Sequence, residues 1–73
     1  MKRRIWRTGS ICSQLNSIRH GCDAATLDAV QGFVRSEEQW STDELADKLM
    51  GLQRMGYDAG TVSSIGVFLG VWE

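Results

Sequence analysis

The sequence predicts a compact all-α bundle of about four short helices, and three observations point there. Apolar residues recur at three- and four-residue spacing along most of the chain, residues suited to helix N-caps stand before the periodic runs, and proline is absent. With 73 residues the chain is one small domain, of a size that buries only about 60% of the surface of its unfolded chain. Its core is therefore thin, and chains this short commonly draw further stability from disulfides, metals or self-association.

The first helix is expected over residues 10–20. Ser10 can cap it, Ile11, Leu15 and Ile18 recur at helical spacing, and Gly21 supplies a left-handed stop. Asp23 then restarts the chain as an N-cap for a helix ending near Ser36, with Leu27, Val30, Phe33 and Val34 as its apolar stripe. Ser41 and Glu44 have the spacing of a capping box, Trp40 can staple against Leu45, and Leu45, Leu49, Leu52 and Met55 continue on one face to a C′ stop at Gly56. The fourth segment begins near Asp58 and carries Val62, Ile65, Phe68, Leu69 and Trp72 at helical spacing. Its glycines and β-branched residues also suit an extended chain over 66–73. Residues 1–9 read as a mobile basic arm and residues 10–73 as the single helical domain, free of internal repeats and low-complexity stretches.

A formal net charge of −1 conceals an asymmetry. Every charge up to Cys22 is positive, whereas all nine acidic residues lie from Asp23 onward. Cys12 and Cys22, if joined by helix, stand roughly 15 Å apart, beyond disulfide reach. Reduced cysteines suit a cytoplasmic protein. No signal peptide is expected, because polar residues interrupt any apolar run behind Lys2, Arg3 and Arg4. The longest uncharged run, Ala59 to Trp72, is shorter than the roughly 20 residues that cross a bilayer.

Catalysis lacks its usual groups. His20 is the only histidine, and Cys22 is its only candidate nucleophilic partner. Cys12, His20 and Cys22 do not have the spacing of a zinc site, and no glycine loop with a lysine offers to cradle phosphate. The chain is therefore expected to be no enzyme and to hold no cofactor, metal or small-molecule substrate.

The order of features from Leu27 to Trp72, with "STDELADKL" followed by "GTVSSI", resembles the helical part of winged helix-turn-helix domains. The long intervening turn is similar to that of the ferric uptake regulator family. The resemblance implies that Leu45, Ala46 and Leu49 pack a scaffold, that Val62 and Ile65 form the buried side of a reading helix, and that Thr61, Ser63 and Ser64 face the bases. The sequence ends at Glu73, where the wing would begin, so no wing is expected. The would-be reading helix carries no Lys or Arg, and Glu37, Glu38, Asp43, Glu44 and Asp47 oppose phosphate.

Two functions follow, in order. The first is a small regulatory or inhibitory protein that binds a partner protein or itself as a homodimer. Its apolar helical face would comprise Val62, Ile65, Phe68, Leu69 and Trp72, and the basic arm of Lys2, Arg3, Arg4, Trp6 and Arg7 would steer an acidic surface. The second is a DNA-binding transcriptional regulator with Thr61, Ser63 and Ser64 at the groove and the arm on nucleic-acid phosphates.

Overall fold

Three of the four helices start at the caps that the sequence predicts. The computed structural model describes residues 4–72. They form, in order, β1 (Ile5–Arg7), α1 (Thr8–Ile18), a single 3₁₀ turn (Arg19–Gly21), α2 (Ala24–Val34), β2 (Gln39–Ser41), α3 (Thr42–Arg54) and α4 (Ala59–Leu69). At α3 the capping box is complete: the Ser41 hydroxyl accepts the Glu44 N–H and the Glu44 carboxylate accepts the Ser41 N–H, both at 3.3 Å. Asp23 caps α2 by accepting the Thr26 N–H at 3.1 Å, and Asp58 caps α4 by accepting the Thr61 N–H at 2.8 Å.

The first helix departs from expectation at both ends. It starts at Thr8, and neither Ser10 nor any other side chain caps it; the Thr8 hydroxyl instead donates to the Val34 carbonyl at 2.8 Å and to that of Glu37. It ends at Ile18 and tightens into the 3₁₀ turn, so Gly21 is not left-handed. The left-handed stops are Gly56 (φ 99°) and Gly70 (φ 89°), each closing a Schellman pair. At Gly56 its own N–H reaches Gln53 O at 3.1 Å and the Tyr57 N–H reaches Leu52 O at 3.2 Å. At Gly70 the corresponding bonds run to Val67 O at 3.1 Å and, from Val71, to Gly66 O at 2.9 Å. The fourth segment is thus helical to Leu69, and Met55, expected on the buried stripe, lies past the end of α3 and is 73% exposed.

The two strands were not expected. They pair antiparallel with Trp6 opposite Trp40, Ile5 opposite Ser41 and Arg7 opposite Gln39. Each sends one side chain into the core, and the tryptophans are 6% and 2% exposed. Residues 4–9 therefore do not form the expected arm; they supply a strand and the first turn of a helix, while Lys2 and Arg3 lie outside the described residues.

The chain is also an internal repeat, contrary to the reading of its sequence. Trp6, Thr8 and Leu15 recur 34 residues later as Trp40, Thr42 and Leu49, and Asp23, Ala24, Thr26 and Phe33 recur 35 residues later as Asp58, Ala59, Thr61 and Phe68. Both halves run strand, helix, turn, helix. Burial follows the same correspondence, with Ile11 and Leu45, Leu27 and Val62, Val30 and Ile65, and Val34 and Leu69 all in one core. The halves interlock by reciprocal bonds. The Trp6 indole donates to Leu69 O at 2.9 Å and the Trp40 indole to Val34 O at 3.0 Å. The Asp23 N–H donates to the Thr61 hydroxyl, and the Asp58 N–H to the Thr26 hydroxyl, both at 3.0 Å. This exchange of partners about the Trp6–Trp40 pair is the pattern of a pseudo-two-fold axis between the halves.

The cap at Asp58 has a pH consequence. The Thr61 hydroxyl, and secondarily the Thr61 N–H, hold its carboxyl below the ordinary aspartate range against a smaller opposing effect of desolvation. A lowered folded-state pKa means that ionised Asp58 contributes stability above the unfolded value of about 3.9, and that this is lost as pH falls through the lower folded value. Asp58→Asn keeps a capping oxygen, so its melting temperature is expected to fall less steeply than that of wild type between about pH 5 and about pH 2. Thermal melts followed by circular dichroism measure both slopes, and equal slopes would contradict the assignment.

Candidate protein-binding face

The α4 helix is apolar nearly all round, so packing against the core decides which of its residues remain outside. Val62, Ile65 and Leu69 are 0%, 0% and 4% exposed and belong to the core, which removes them from the expected contact face. Val67 and Phe68 are 53% and 46% exposed, and with Ser63 and Ser64 they line a shallow depression on the outer side of the helix. Thr61, expected to face bases, is 5% exposed; its hydroxyl donates to Asp58 at 2.7 Å and accepts from the Asp23 N–H.

Trp72 is half-buried and lies on α4 itself. A Cβ placed on Gly66 would stand 2.2 Å from its ring, so only glycine permits this closeness. The residue matching Gly66 in the first half is Gln31, and no tryptophan follows α2 at the matching distance. Gly66→Ala is expected to displace the Trp72 ring and to cost about 1–3 kcal/mol. A red-shifted tryptophan emission with a lower denaturation midpoint checks this, and an unchanged spectrum would refute it.

Of the predicted arm, Arg4 and Trp6 are tied into the same end of the molecule. The Arg4 guanidinium stands over the Trp6 ring at 4.8 Å from its centroid, and Trp6 is bonded to the last turn of α4. Trp6 is thereby a core residue and not a free aromatic for stacking on bases. Arg7 is exposed opposite Gln39.

Charge breaks the repeat's symmetry. α1 and α4 contain no charged residue, whereas their counterparts α3 and α2 carry Asp43, Glu44, Asp47, Lys48 and Arg54, and Asp28. α1 also touches α4 and α2 touches α3, although each half's own two helices pack more extensively on one another, so the axis exchanges an uncharged helix pair for a charged one. The outward residues of α1 are small or amide-bearing, among them Ser13, Gln14, Asn16 and Ser17. On the charged side Phe33 meets the Trp40 ring edge-on at 5.4 Å and lines a groove with Asp47, Lys48, Gly51, Leu52 and Met55. Sequence reasoning missed both the part of α1 and this groove, although the empty charge record of residues 8–18 was there to be read.

The remaining reactive groups are dispersed. Burial pushes the Cys22 thiol up, its S–H donating to Ile18 O at 3.4 Å, and Cys12 and Cys22 are both unpaired. His20 is exposed in the 3₁₀ turn. Among the described residues no group of three or more His, Cys, Asp or Glu is placed to hold a metal, and no helix is long and apolar enough to cross a membrane. No family model, curated protein or solved structure matches the chain.

Proposed function

We propose that this is a small, non-enzymatic cytoplasmic protein that regulates by binding protein through the uncharged side formed by α1 and α4, with Phe68 and Val67 as anchors. The observation that carries the reading is the pairing of two half-exposed apolar side chains with 22 helical residues, 11 in each helix, that include no charge. Depletion of charge around aromatic anchors characterises the centres of protein interfaces. Ser13, Gln14, Ser63 and Ser64 supply adaptable hydrogen-bonding groups around them. Leu69, Val62 and Ile65 hold the face in place from below, and Trp72 closes its end by covering Gly66.

The helix-turn-helix reading has less support. Of its three proposed base contacts, Thr61 is engaged in the core, and α4 offers no cation to a phosphate. The exposed Arg7, near the end of α4 through Trp6, suits steering toward an acidic partner surface.

Affinity capture from source cells with wild type and Phe68→Glu tests the proposal. Wild type is expected to retain a protein that the variant loses, with both proteins equally folded by circular dichroism. Equal retention by both, or retention abolished by nuclease, would sink the reading.

A further inference from the structure

We infer that the partner on this face is a second copy of the chain, docked α4 against α4 in antiparallel orientation about a two-fold axis near Ser64. This rests on the reading of the uncharged side as a binding face and names its occupant. In an isologous contact each side chain near the axis meets its own copy, so a charge there meets a like charge. α1 and α4 have none, whereas the groove at Phe33 and Met55 carries Asp47 and Lys48. A formal net charge of −1 adds little repulsion between whole molecules.

Steric pattern gives the second argument. Gly60, Ser64 and Phe68 are all exposed and stand four residues apart, so they form one ridge along α4. An antiparallel partner crossing at Ser64 sets the Phe68 ring over the partner's Gly60, and the same contact recurs on the other side of the axis. Large meets small twice, and the two Ser64 side chains face each other at the centre. A stable interface needs about 600 Å² from each copy at the lower end of the usual range, roughly an eighth of the 4844 Å² surface.

Analytical ultracentrifugation from about 1 μM to about 1 mM tests the inference. Wild type is expected to pass from one chain to two, and Phe68→Glu to raise the dissociation constant at least about 30-fold, with circular dichroism confirming its fold. In a background of Cys12→Ser and Cys22→Ser, Ser64→Cys is expected to cross-link between chains on mild oxidation, and Lys48→Cys is not. A mass of one chain at every concentration overturns the inference, as does a dimer that survives Phe68→Glu or cross-links at position 48 instead of 64. If the single-chain mass is accompanied by Phe68-dependent capture of a different protein, the binding reading stands and only the identity of the partner falls. If both measurements fail, both fall.

Discussion

Trp40→Ala is expected to remove at least about a quarter of the folding stability. The side chain is 2% exposed, donates to Val34 O and meets Phe33 edge-on. Truncating a buried aromatic to alanine costs about 3–5 kcal/mol. A domain of this length has roughly 4–11 kcal/mol in total, so the loss takes about a quarter of the stability at best and all of it at worst. Urea titration followed by far-ultraviolet circular dichroism measures it, and a loss under about 1 kcal/mol would contradict the structure. The phenylalanine variants separate ring from N–H. Val34 O keeps the Thr8 hydroxyl when Trp40 becomes Phe, whereas Leu69 O has no other donor among the described hydrogen bonds when Trp6 does. Trp6→Phe is therefore expected to lose more hydrogen-bond stability than Trp40→Phe, although Trp6 itself is slightly the more exposed of the two.

The second large effect is expected at the crossed caps. Thr26 donates to Asp23 at 2.9 Å and accepts from the Asp58 N–H; Thr61 does the same for the opposite pair. Valine fills the space of threonine and removes only these bonds. Thr61→Val strands the Asp23 N–H and loosens Asp58, for a cost of about 1–3 kcal/mol, and Thr26→Val is its mirror. Both hydroxyls serve the same two aspartates, so the double variant is expected to lose less than the sum, by about 0.5–3 kcal/mol. Thr61→Ser should restore most of the loss. A double-mutant cycle in urea reads the coupling, and strict additivity would mean that the two halves do not share this joint.

The helices could be read from the chain because their signals are local. Asp23, Ser41 and Asp58 each precede an apolar stripe, and each bonds a backbone N–H three residues on. The strands could not be, since Ile5–Arg7 and Gln39–Ser41 have three residues each and pair across more than thirty intervening positions. The repeat was hidden because its halves agree mostly in burial, as Ile11 does with Leu45, and only sparsely in identity. For the candidate site, Phe68 and Leu69 are neighbours of similar hydrophobicity on a helix with no charge to mark its outer side. Only docking against the core, which takes Leu69 and leaves Phe68, tells them apart.

Because Trp6 finds its acceptor 63 positions later, at Leu69, the half made first during translation cannot satisfy its own indole. Trp6 therefore waits for the second half before it can be sealed into the shared core. Synthesis and collapse are thus separated in time, and folding should finish in one cooperative step that tolerates no half-built product.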